Sequence, residues 1–143
     1  MVAAKQQPLT IVLVDDEPGR AALLERALVD AGAAVTSAVT GAEVGRTIQR
    51  LHATGQIDAG AGSRAWSAYT AAALHWRIYQ VTDAVLHRVR QPFPGEPVRT
   101  LDAVHLATAV LYGLDVAPPV VLSTDGVVRA NAQALGFAVA PPD

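Results

Sequence analysis

The stretch Arg99-Thr100-Leu101-Asp102-Ala103-Val104-His105-Leu106-Ala107-Thr108-Ala109-Val110 decides the fold. Apolar residues at Leu101, Val104, Leu106 and Val110, with alanines between them, predict a buried helix from Leu101 to about Leu111, ending near Gly113. Asp102 falls in its first turn, where the helix dipole and free backbone amides favour an acid. Its apolar company also places that carboxylate at the inner end of a core helix, where hydration is limited.

Towards the C-terminus, Pro119-Val120-Val121-Leu122-Ser123 reads as a buried strand. Thr124 and Asp125 open a last helix through Val128, Ala132 and Leu135 to Gly136, and Phe137-Ala138-Val139 adds an edge strand. Towards the N-terminus, the three prolines and the glycine of Gln91 to Pro97 form a loop. Thr82 caps a helix over Asp83 to Arg90 with Val85, Leu86 and Val89 facing in. Ile78-Tyr79-Gln80-Val81 is extended. A helix from Ser63 carries Trp66, Tyr69, Ala73, Leu74 and Trp76, whose helical spacing favours core or dimer packing over base stacking. Thr54 to Gly62 is a glycine-rich turn. Thr40 and Glu43 have the spacing of a capping box, opening a helix through Val44, Thr47, Ile48 and Leu51 with Arg46, Gln49 and Arg50 outside.

Ala33-Ala34-Val35-Thr36-Ser37 is a short strand, and Arg20 to Ala31 a helix closed by Gly32. Leu9-Thr10-Ile11-Val12-Leu13-Val14 is a strand buried on both faces, stopping at Asp15-Asp16-Glu17-Pro18-Gly19. Strands alternating with helices predict an α/β chain: a central parallel sheet in a three-layer α/β/α arrangement, with ligands at the carboxyl ends of the strands.

The 143 residues suit one domain, with residues 1–8 as a flexible N-terminus and 9–143 as the domain. A net charge of −2 gives no global basic field, so a nucleic-acid partner needs a local patch or metal ions. There is no cysteine, which excludes disulfides, thiolate zinc sites and cysteine nucleophiles. No apolar run has the length of a membrane span, and the first residues lack the apolar core of a signal peptide, so a cytoplasmic protein is expected. Lys5 is the only lysine among eleven basic residues.

Asp15, Glu43, Asp102 and Asp125 each follow a strand or open a helix, and in a parallel sheet all four lie at one end. Taken singly, each is explained as a cap or a helix-dipole partner. Taken together, converging carboxylates repel unless a cation neutralises them. Oxygen-only ligands favour Mg²⁺ or Mn²⁺, and such ions suit phosphodiester hydrolysis.

Val98-Arg99-Thr100-Leu101-Asp102-Ala103-Val104-His105-Leu106-Ala107-Thr108-Ala109 resembles the RTLDALHLATA stretch of PIN-domain proteins of the VapC toxin type. Val121-Leu122-Ser123-Thr124-Asp125 with Ala130, Ala132 and Leu135-Gly136-Phe137-Ala138-Val139 is similar to the closing pattern of the family, and Thr36-Ser37 through Glu43-Val44 to its T-S-x-x-x-x-x-E-V element. The resemblance implies a Mg²⁺- or Mn²⁺-dependent endoribonuclease, dimeric and restrained by a cognate antitoxin. Glu43, Asp102 and Asp125 match its acidic positions and Asp15 the acid that closes its first strand; these four are the expected catalytic and metal-binding residues. Arg99, Ser37 and Thr124 are candidate substrate contacts, and replacing Arg99 is expected to weaken RNA binding without altering metal affinity. His105 belongs to the same pattern and reads as a packed helix histidine.

The N-terminus departs from the family. Glu17-Pro18-Gly19 follows Asp15 at once, so roughly three helical turns are missing. A PIN-like module that binds without cutting is therefore an alternative. Asp15-Asp16-Glu17-Pro18 also resembles the start of a response-regulator receiver domain, but no lysine follows Lys5, and Asp58 lies in a glycine-rich turn rather than after an apolar strand.

Overall fold

The computed structural model describes residues 10–12 and 34–142. The expectations for Asp15, Asp16, Glu17-Pro18-Gly19 and the helix over Arg20 to Ala31 lie outside these residues. The described strands are β1 (Thr10–Val12), β2 (Ala34–Ser37), β3 (Arg77–Tyr79), β4 (Val120–Leu122) and β5 (Val139–Ala140). They form one sheet in the order β3-β2-β1-β4-β5, and every pairing is parallel. β1 is central, with Ile11 opposite Val35 on one side and Val121 on the other. The carboxyl ends of β2 and β4 therefore flank β1 on the same edge, and the helices that follow these two strands start there.

The helices are α1 (Val39–Ala53), α2 (Ala59–Ala73), α3 (Asp83–Val89), α4 (Thr100–Asp115) and α5 (Gly126–Ala134). α4 is the core helix: Ala103, Val104, Leu106, Ala107 and Ala109 are all buried, as are Val35 of β2, Val121 of β4 and Val128 of α5. Alanines at 103, 107 and 109 carry no side chain beyond Cβ, so the helix packs closely on β2, α3 and α5.

Several expectations are corrected. α4 continues two residues past Gly113, to Asp115. A Cβ at position 113 would stand 3.4 Å from Phe137 and 3.6 Å from Pro118, so this glycine serves close packing and not termination. Leu101 is 49% exposed and faces a cleft. Leu86 is also exposed, leaving Val85 as the buried anchor of α3. α2 starts at Ala59, within the expected turn, because the Asp58 carboxylate accepts from the Ala61 amide at 2.7 Å. Its aromatic cluster lies at the surface: Tyr69 sits 5.3 Å from Trp66 and 5.9 Å from Trp76, while Trp66 and Leu74 are exposed. α2 leans on α1, and Gly62, close to Ile48, is its buried residue.

Thr82 does cap α3, accepting from the Val85 amide at 3.4 Å. Thr40 does not cap α1. The helix already begins at Val39, and the Thr40 hydroxyl is buried against that of Thr36, 2.6 Å away.

Candidate active site

The Thr36–Thr40 bond decides where Glu43 points. It ties the end of β2 to the first turn of α1 and turns Thr40 inward. Glu43, three residues on, lies on the same helix face. Freed from a capping box, its carboxylate reaches α4 instead, where His105 Nε2 donates to Oε1. His105 is 2% exposed. Its Nδ1 has no partner, and Glu43 Oε2 makes no hydrogen bond among the described residues. Ser37 is buried, and its hydroxyl accepts from the Val39 amide at 3.3 Å, closing the turn from β2 into α1.

Asp125 ends the turn after β4. Its Oδ1 accepts from the Val128 amide at 3.0 Å, capping α5, and the Asp125 amide donates to the Ser123 hydroxyl at 3.1 Å. The cap leaves Oδ2 turned outward, 3.8 Å from the Arg99 guanidinium. Arg99 Nε also donates to Asp102 Oδ2 at 3.1 Å, one turn along α4. One guanidinium thus lies against carboxylates delivered by two different helix starts. Thr124 is half-buried between Ser123 and Asp125. Contact with both acids ties Arg99 to any cation those acids hold, which the sequence reading kept apart from its role towards RNA.

Glu43 and Asp102 line the same cleft of about 650 Å³, with Arg46, Arg50, Arg99 and Leu101 on its walls. Negative side chains lie within and basic ones around them. Among the described residues no three His, Asp or Glu side chains stand close enough to share one metal ion. The donor set is nevertheless that of a hard cation: carboxylate oxygens alone, with a guanidinium now supplying the positive charge. Asp15 lies outside the described residues.

Two residues that spacing missed hold this arrangement. Glu96 accepts from the Phe93 amide at 2.9 Å through one oxygen and from the Val98 amide at 2.8 Å through the other, shaping the loop before α4. Asn131, buried on α5, accepts from the Gly95 amide at 2.8 Å and donates to the Gly95 carbonyl at 3.2 Å. It therefore fastens the loop that leads to Asp102 onto the helix that Asp125 caps. The signal was a polar residue three positions after Val128 on the inward stripe of α5. Arg88 stacks over Phe93 at 4.2 Å from its centroid. Asp58 caps α2 and follows a turn, unlike what a receiver-like chain would need there.

The family model for the PIN domain matches residues 10–133. A stretch of 61 residues is 43% identical to the ribonuclease VapC35 of Mycobacterium tuberculosis, in strain CDC 1551 / Oshkosh and equally in strain ATCC 25618 / H37Rv. It covers 42% of this chain and 44% of the relative, so the chain spans under half the length of the curated relatives it matches. No helix among the described residues is long and apolar enough to cross a membrane. With the parallel sheet, the acids at its carboxyl edge and a family match over most of its length, the chain belongs to the PIN-domain family.

Proposed function

We propose that this PIN-domain protein is a metal-dependent endoribonuclease, the toxin of a toxin–antitoxin pair. The observation that carries the reading is the meeting of Asp102 and Asp125 at one guanidinium, beside a cleft that also holds Glu43 and is walled by arginines. The similarity to a ribonuclease supports the same chemistry. Asp102, Asp125 and Glu43 would hold Mg²⁺ or Mn²⁺, with Asp15 as the fourth acid. When bound, such an ion lowers the pKa of a water and stabilises charge developing at phosphorus.

The chain's own residues supply the rest. Arg46 and Arg50 on the cleft wall would attract the phosphate backbone, and Arg99 would neutralise the non-bridging oxygens of the bound phosphate. Ser37, at the end of β2, and Thr124, in the turn after β4, are the proposed hydroxyl contacts to the substrate. Leu101, exposed on the wall, offers an apolar surface to a base or ribose. The reading includes a single domain over residues 9–143, a three-layer arrangement with helices on both faces of the sheet, a homodimer and a protein antitoxin in the cytoplasm.

The test is Mn²⁺ titration by calorimetry together with cleavage of a mixed-sequence RNA. The wild-type protein is expected to bind Mn²⁺ and cut; Asp102→Asn combined with Asp125→Asn is expected to do neither while keeping its fold, since asparagine is as good a cap as aspartate. A wild-type protein that takes up no Mn²⁺ and cuts no RNA would overturn the reading. RNA binding without cutting would make the chain a binding module.

A further inference from the structure

We propose that His105 is a positioning residue for Glu43: it takes up Oε1 and so presents Oε2 alone to the cleft, making Glu43 a single-oxygen donor to the metal. This assignment rests on the ribonuclease reading. The two side chains come from different elements, α4 and α1, 62 residues apart in sequence. His105 is almost completely buried while Glu43 is one-fifth exposed, so the imidazole lies behind the carboxylate and not in the cleft. A carboxylate oxygen only accepts, which fixes the ring proton on Nε2.

The far side of the ring is equally informative. Among the described residues Nδ1 is buried and unpartnered, so the ring satisfies no local backbone group there. A histidine serving only to fill the core would be replaced without loss by an apolar side chain, which would leave no bare nitrogen. What the imidazole provides is one N–H aimed at one oxygen. Carboxylates that ligate metals are oriented by hydrogen bonds of this kind from residues behind them. A long, flexible glutamate on a surface helix gains most from it, because an unheld side chain spends most of its time in other rotamers. The Thr36–Thr40 bond sets the helix face and His105 sets the last torsion.

The test compares His105→Ala, His105→Gln and wild type in Mn²⁺ affinity by calorimetry, in kcat and KM for one RNA, and in melting temperature. Glutamine reaches about as far as imidazole Nε2 and still donates. His105→Ala is expected to weaken Mn²⁺ binding by about 10–100-fold, and to lower kcat with KM for RNA unchanged, since the ring touches no substrate. His105→Gln is expected to recover most of both losses. If the alanine variant does not fold, His105→Met, which fills the space without a donor, takes its place. Wild-type Mn²⁺ affinity in a folded donorless variant would overturn the assignment and leave the ribonuclease reading standing. So would a glutamine variant as defective as alanine with a wild-type melting temperature. A wild-type protein that binds no Mn²⁺ would overturn the ribonuclease reading, and this assignment with it.

Discussion

Replacing Arg99 by glutamine removes the guanidinium that lies 3.1 Å from Asp102 and 3.8 Å from Asp125. The metal and the guanidinium compete for the same two carboxylates, so the variant is expected to bind Mn²⁺ more tightly and RNA more weakly. The size follows from exposure. The Arg99 side chain is 82% exposed, so both pairs are well screened. Pairs of that kind are worth about 0.2–1 kcal/mol each. Losing both contacts therefore releases about 1 kcal/mol that the ion no longer has to displace, or about fivefold in affinity. The assay is calorimetric titration of Mn²⁺ into wild type and Arg99→Gln at low and moderate salt. The gap should narrow as salt rises and the Debye length falls to about 10 Å. In parallel, the slope of log RNA affinity against log salt should drop by about one phosphate contact. Unchanged or weaker Mn²⁺ binding in the variant would refute the competition, and with it the idea that Arg99 holds the place of the ion.

Two further outcomes concern the scaffold. Asn131→Ala leaves the Gly95 amide and carbonyl without their buried partner and is expected to cost about 2 kcal/mol, read as a lower urea midpoint at unchanged m. The Tyr79 phenol donates to Asp115 at 2.9 Å, and that hydrogen bond, helped by partial burial and the negative charge, raises its pKa above the ordinary 10.0. The neutral phenol is the favoured form, so the stability from this contact is fully present below pH 10 and is lost as pH rises through the raised value. Ultraviolet titration of Asp115→Asn should move one tyrosine to lower pH; no change would remove Asp115 as the cause.

The parallel alternation and the core helix were legible in the sequence because they rest on apolar spacing that tertiary packing then used. Ala103, Val104 and Leu106 lie where the period puts them. Misread positions were those where a local pattern had a stronger distant partner. Thr40 and Glu43 have the spacing of a capping box, yet a buried hydroxyl on β2 and an imidazole on α4 claim them. Leu101 and Leu86 fit the helical stripe but face outward, since the walls of a cleft and of a short helix need not be polar. Asp125 was legible as the residue that opens α5; its contact with Arg99, made through the oxygen that does not cap, was not. Asn131 showed only as a polar residue on an inward stripe, and Glu96 not at all, because their partners are backbone groups of a loop whose path the sequence does not reveal.

The slight anchoring of α2 also shapes how the molecule opens. One buried residue in a 15-residue helix gives it little to lose on detaching. Its amides should therefore exchange with solvent through brief local openings, far more often than the molecule unfolds as a whole. Amides of α4, half of whose residues are buried, should wait for global unfolding. α1 stands between the two: one face carries α2, the other is bonded through Thr40 to β2 and through Glu43 to α4. Excursions of α2 thus end at the outer face of α1, and the carboxylates keep their places while the helix behind them comes and goes.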